Sequence, residues 1–133
     1  MCMEQKIRLT DCRDGIVLDV PQGYFMCWNF TTQAANRVNI ELYDDKGNIY
    51  LKETRQSTNP EPMISGSGYL KGKKLTLRLD VPASPRIEIR KNTWDITDGS
   101  TILARSIVLL AEDAYDYDFN DIQLSVTAFR SRG

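Results

Sequence analysis

The chain contains no histidine, and that one absence removes whole chemistries. Ser–His and Cys–His nucleophilic catalysis are excluded, and so are most zinc sites. Cysteine is scarce. Cys2, Cys12 and Cys27 make an odd count with no Cys-x-x-Cys spacing, which describes neither a disulfide framework nor a redox motif. Free, partly buried thiols are the expectation. No apolar run approaches the roughly 20 residues that span a bilayer, so membrane insertion is not expected. Residues 1–15 (MCMEQKIRLTDCRDG) hold no apolar h-region, so no secretory signal peptide is encoded in them. The chain is expected to be cytoplasmic, to be exported without such a signal, or to have been separated from its leader. No helical stripe with caps at both ends occurs, nor any internal repeat, linker or low-complexity tail. A basic-aromatic stripe is missing too, which argues against nucleic acid as a partner.

What is present is an ordinary globular composition: 133 residues, 41% hydrophobic and 26% charged, enough for a single domain spanning 1–133. The periodicity is that of strands. Val38, Ile40 and Leu42 alternate with polar residues, as do Leu75, Leu77 and Leu79, Ile87 and Ile89, and Ile122, Leu124 and Val126. Alternation of period two puts one face of each run in a core. Further candidates are 6–10, 15–20, 24–30, 48–54 and 104–111. Turn residues separate them: Pro21-Gln22-Gly23, and Asp44 to Asn48 with Gly47 at a positive-φ position. Residues 55–72, with two prolines and three glycines, read as an extended crossover with a short strand inside. About nine short strands between turns predict an antiparallel β-sandwich.

The net charge of −1 hides one local excess. Residues 112–121 (EDAYDYDFND) hold five carboxylates, Glu112, Asp113, Asp116, Asp118 and Asp121, and no base. Without cations, such crowding repels by several kcal/mol in a poorly solvated loop. Carboxylate and amide oxygens are hard ligands, and calcium takes six to eight of them. Asp116, Asp118 and Asn120 alternate, so in extended chain their side chains converge, while Asp121 follows from the turn. Glu112, ending the preceding apolar run, can close the site from the other side. The supply suits a pair of cations sharing carboxylates. The loop is not an EF-hand, because Asp121 stands where that motif requires glycine. A solvated acidic turn is the plainer alternative, weakened by strands on both sides and by the interleaved Tyr115, Tyr117 and Phe119.

On these residues the chain resembles the calcium-mediated, fucose-binding bacterial lectins of the lectin II type. Their motif is Glu-Asp, two spacers, then Asp-x-Asp-aromatic-Asn-Asp leading into the last strand, and Glu112, Asp113, Asp116, Asp118, Asn120 and Asp121 fall on it without a gap. Val20-Pro21, Arg37-Val38-Asn39-Ile40 and Gln56-Ser57-Thr58-Asn59 are similar in content and order. The resemblance covers 15–133, with 1–14 an additional N-terminal strand. It implies a nine-stranded sandwich and two adjacent calcium ions bound directly by sugar hydroxyls, with fucose- or mannose-type monosaccharides as ligands. Glu112, Asp116, Asp118 and Asp121 would hold one ion. Asp118, Asn120 and Asp121 would hold the other, so that Asp116, Asp118 and Asp121 also border the sugar. Asp113 would accept a hydrogen bond from it. The terminal carboxylate of a partner copy, here Gly133, would complete the second ion's shell and touch the sugar, which makes a homodimer or higher oligomer the expected state. Asn36 is the candidate for the family's further asparagine near the metal, with Thr31 and Gln33 behind it in the loop that sets sugar preference. The pattern departs at the terminus, where Asp121 to Gly133 runs two residues longer, about 7 Å of extended chain.

Three functions compete on this reading. A non-enzymatic calcium-dependent lectin is favoured, because open-coordinated calcium can take vicinal hydroxyls with little further apparatus. The alternative is a β-domain whose calcium is purely structural, in an adhesion or assembly role. A glycosidase is disfavoured, since aspartates clustered in one short loop make a cation cage and not two carboxyls flanking a glycosidic bond.

Overall fold

The computed structural model describes residues 3–9, 15–32, 37–55, 63–82, 87–112 and 122–131. Among the described residues there are ten strands and no helix: β1 (Met3–Leu9), β2 (Gly15–Leu18), β3 (Phe25–Thr32), β4 (Val38–Asp44), β5 (Ile49–Arg55), β6 (Ile64–Tyr69), β7 (Leu75–Asp80), β8 (Ile87–Asp98), β9 (Thr101–Glu112) and β10 (Ile122–Phe129). They form two sheets, a six-stranded one in the order β1-β8-β9-β10-β3-β6 and a four-stranded one in the order β2-β7-β4-β5. Every pairing is antiparallel. Strands β2 to β10 are the nine of the expected sandwich, and β1 lies at one edge of the larger sheet.

The alternation in the sequence is what orients the strands. Val38, Ile40 and Leu42 of β4, Leu75, Leu77 and Leu79 of β7, and Leu124, Val126 and Ala128 of β10 are all buried, in one cluster with Met26, Trp28 and Phe30 of β3. Burying each large side chain contributes about 1.5–3 kcal/mol. A slip of one residue would turn a whole set to water, so the core determines the register.

The strand foreseen within the 55–72 crossover is β6, Ser-Gly rich and on the open edge of the larger sheet. Other elements differ from expectation. β8 and β9 run well beyond 87–89 and 104–111 into a hairpin closed at Gly99. Their pairing shifts register between Ile96 and Thr97, and that irregularity breaks the alternation by which the extension could have been read. Thr31, expected in a loop, is a strand residue of β3 paired with Gln123, because the ladder with β10 continues to Thr32.

The β4–β5 turn shows how tightly the end of the sandwich is fastened. Gly47 has φ +85°, which suits glycine. Asp44 is buried, and its carboxylate accepts hydrogen bonds from the backbone N–H of Lys46 (2.9 Å), Asn48 (3.0 Å) and Gly72 (2.9 Å), and from Tyr50 Oη (2.6 Å). Burial alone would raise its pKa. The bonds from Tyr50, Asn48 and Lys46 outweigh burial and hold the group well below the usual carboxylate range. A side chain on Gly72 would press against the Asp44 carboxyl, 2.7 Å from Cγ, so only glycine brings that N–H close enough.

Candidate functional site

The acidic loop leaves β9 at Glu112 and re-enters the sheet at Ile122. Ile122 pairs with Ala111 on one side and with Thr32 on the other. The end of β9, the start of β10 and the end of β3 therefore lie side by side, β9 and β3 about 10 Å apart across β10 at ordinary strand spacing. The two segments singled out from the sequence, 112–121 and 31–36, start from the same end of the same sheet. Asp113, Asp116, Asp118, Asn120 and Asp121 of the loop lie outside the described residues, as do Gln33, Asn36 and Gly133. Glu112 and Thr31 are described.

Glu112 is the informative one. Only 2% of it is exposed, which is unusual for a glutamate. Its direct cross-strand neighbour is Glu88 of β8. Facing residues of an antiparallel pair have Cα atoms about 4.5–5.5 Å apart, and like charges so placed repel. The sheet thus sets two carboxyl-bearing residues together at the foot of a loop that contributes four more. Sequence reasoning missed Glu88. Its alternation with Ile87 and Ile89 marks it as facing away from the core, but nothing local pairs it with a residue 24 positions later.

Thr31 sits partly buried in β3 opposite Gln123, on the side of β10 away from Glu112. Among the described residues, no group of three or more aspartate, glutamate or cysteine side chains gathers as a cation site. Asp44 and Asp45, at the opposite end, are committed to donors. Asp45 accepts from the backbone N–H of Lys73 (2.7 Å) and Lys74 (3.1 Å), bonds that hold its pKa down. Arg105 is likewise engaged, by both oxygens of Asp95 (2.7 and 2.8 Å) and by Asp19 (3.0 Å). That pairing lowers the pKa of Asp95 and raises that of the guanidinium, and it ties the β8–β9 hairpin to the segment after β2. The Cys27 thiol is free and partly buried on β3, while Cys2 and Cys12 lie outside the described residues.

The direction of β10 constrains the C-terminus. From Ile122, at the loop end, to Phe129 the strand advances seven steps, about 24 Å at 3.4 Å per residue. The chain beyond Phe129 starts at the end of the sandwich remote from its own acidic loop.

No family model matches the chain, and no curated protein does. Solved structures do. The chain superposes on the C-terminal domain of the BC2L-C lectin from Burkholderia cenocepacia with a TM-score of 0.70 at 14% identity, covering 98% of this chain and 100% of that one. It superposes on the high-affinity mannose-binding lectin of Ralstonia solanacearum with a TM-score of 0.66 at 17% identity, covering 87% and 96%. For the Chromobacterium violaceum lectin CV2L, solved in complex with alpha-methyl-fucoside, the values are 0.63, 12%, 88% and 96%. Over nearly its whole length the chain has the fold of these bacterial lectins.

Proposed function

We propose that this chain is a calcium-dependent, non-enzymatic carbohydrate-binding lectin whose sugar hydroxyls are coordinated directly by a pair of calcium ions. One observation carries the reading: a lectin fold in which the connection between β9 and β10 is the acidic stretch, entered through a buried glutamate. Calcium fits the donor chemistry, since Glu112, Asp116, Asp118 and Asp121 supply carboxylate oxygens and Asn120 an amide oxygen, all hard ligands. When bound, the ions would act as Lewis acids that take vicinal sugar hydroxyls in place of water.

The protein's own groups do the rest. Asp113 accepts a hydrogen bond from the sugar, and Asn36, Thr31 and Gln33 border the site from the β3 side. Placement of Thr31 beside the start of β10 supports that role, because it brings the end of β3 to the loop's own end of the sheet. Fucose- or mannose-type monosaccharides are the proposed ligands, in keeping with the ligands named for the Ralstonia and Chromobacterium lectins. The reading includes a homodimer or higher oligomer. Because β10 runs away from its own loop, a Gly133 carboxylate that completes a calcium shell would have to come from a second copy.

A glycan array read with calcium and with chelator tests the proposal. Calcium-dependent binding of fucosylated or mannosylated glycans is the expected result. A large calcium-dependent rise in melting temperature with no sugar signal would reject the lectin reading and leave calcium a structural role.

A further inference from the structure

Two connections at the end of the sandwich remote from the acidic loop bring four lysines together. Lys46 lies between β4 and β5, and Lys71, Lys73 and Lys74 lie between β6 and β7. Strands β4 and β7 are neighbours in the four-stranded sheet, with Asp44 paired to Leu75, so the two connections meet at ordinary strand spacing. One hub fastens both. The backbone N–H of Lys46 donates to Asp44 (2.9 Å), that of Lys71 to the Tyr50 hydroxyl (2.9 Å), and those of Lys73 and Lys74 to Asp45 (2.7 and 3.1 Å). Gln22, from the turn before β3, donates to the Lys71 carbonyl (3.1 Å). All four lysine backbones are therefore tied to three residues of the β4–β5 hairpin.

Their side chains are left to solvent. All four lysines are exposed, and among the described residues none of their ammonium groups forms an ion pair. The acids of the hub serve the backbone. Asp44 is buried under its donors, and Asp45 holds the N–H groups of Lys73 and Lys74. Four lysines against two aspartates leave this end net positive, in a chain whose net charge is −1. Like charges set this close repel one another, and the hydrogen bonds of the hub keep them in place.

The arrangement suits a partner that brings several negative charges. A lysine ammonium is a hydrated point charge on a flexible stem, whereas a single carboxylate or phosphate is gripped best by the fork of an arginine. No arginine stands in either connection. Nucleic acid is read by a helix in a groove or by bases stacked on exposed aromatics. The described residues contain no helix, and the nearby Tyr50 is partly buried with its hydroxyl given to Asp44. A bilayer needs an apolar anchor. Ile49 is exposed beside Lys46 and Asn48, yet even a whole myristoyl chain anchors only marginally. A flexible chain of repeating anions needs neither platform nor anchor, because its charges settle on the lysines one by one and release their counterions.

We propose that this end of the sandwich binds a linear anionic polysaccharide, one bearing sulfate or carboxylate groups, through Lys46, Lys71, Lys73 and Lys74. That the polyanion is a polysaccharide rests on the carbohydrate-binding reading above, while the surface itself needs no calcium and lies at the other end from the acidic loop.

Biolayer interferometry on immobilised dextran sulfate, run in chelator, tests the surface apart from any calcium site. The variant is Lys71→Gln with Lys73→Gln, which keeps both backbone N–H bonds, and an unchanged circular dichroism spectrum verifies its fold. The control, Lys52→Gln with Arg78→Gln, removes the same charge from the outer face of the four-stranded sheet, where both partner Glu41. Wild type should bind dextran sulfate and not neutral dextran. A lysine beside an anionic surface changes affinity about fivefold, so the variant should bind about 25-fold more weakly. Its loss of affinity with rising salt should be about half as steep, two of four contacts being gone. The control should stay within about twofold of wild type. Wild type that fails to bind in chelator overturns the proposal, and so does equal weakening in variant and control, which would reflect net charge alone. Tighter binding to duplex DNA or to phosphatidylserine vesicles than to dextran sulfate gives the surface to another partner and overturns the polysaccharide.

Discussion

Glu112→Gln separates a carboxylate kept for a cation from one that is merely buried, because only the first case depends on calcium. Without calcium, the substitution removes one of two like charges set directly across β8 and β9. Cross-strand pairs of this kind are worth about 0.2–1 kcal/mol, so in chelator the stability should change by no more than about that. With calcium, the substitution removes a ligand. Loss of an outer-shell partner already costs about 10–100-fold in metal affinity, so a direct carboxylate should cost about 100-fold. At a calcium concentration 1,000 times the wild-type dissociation constant, binding stabilises the wild type by about 4.1 kcal/mol and a variant 100-fold weaker by about 1.4. The difference, about 2.7 kcal/mol, corresponds to about 9 °C in a chain of this length. The assay is a pair of thermal scans for each protein, in chelator and in saturating calcium. The calcium-induced rise should shrink by about 9 °C while the chelated melting temperature moves by no more than about 3 °C. A calcium-induced rise as large in Glu112→Gln as in the wild type would refute the ligand role, and a large drop in chelator would show that the carboxylate serves the fold alone.

Asp118→Ala should abolish calcium and sugar binding together, because it removes the oxygen donor that the proposed arrangement shares between its two ions; sugar titration that survives the change rejects the two-ion arrangement. Asp44→Ala should destabilise the chain by about 3–5 kcal/mol in urea unfolding, since it strands the donors of Gly72, Tyr50 and Asn48, yet leave calcium affinity unchanged, the turn being at the far end of the sandwich. The depressed pKa of Asp44 contributes stability that is complete above the ordinary carboxylate pKa of about 4 and is lost as pH falls below it. The urea midpoint of Asp44→Asn should therefore fall less than that of the wild type between pH 5 and pH 3. Gly66→Ala should cost about 1–3 kcal/mol, because its new methyl would lie 2.6 Å from the Trp28 indole, and a shifted tryptophan emission maximum would report the displaced ring.

Much of the fold was legible in the order of residues. The alternation of Val38, Ile40 and Leu42, or of Ile122, Leu124 and Val126, is a local property of each strand, and a core that rewards burial of one face turns it directly into structure. The turn at Gly47 was legible for the same reason. So was the acidic loop, since five carboxylates within ten residues are a charge problem wherever the chain folds. The β8–β9 extension was hidden by the register shift after Ile96. The Arg105 pairing with Asp95 and Asp19 gave no warning, because Asp19 is 86 positions away.

What the sequence determined by itself is therefore what depends on near neighbours: strand faces, turns, and a stretch dense in hard oxygen donors. What only the tertiary structure decided depends on which strands become neighbours. Setting β9, β10 and β3 side by side brings the Thr31 segment to the foot of the acidic loop and puts Glu88 opposite Glu112. Ordering the larger sheet β1-β8-β9-β10-β3-β6 collects Trp94, Ile96, Phe129 and Tyr69, scattered along the chain, onto one face. Pairing between strands is settled by the whole core at once, through burial summed over both sheets, and no local stretch of sequence carries that sum.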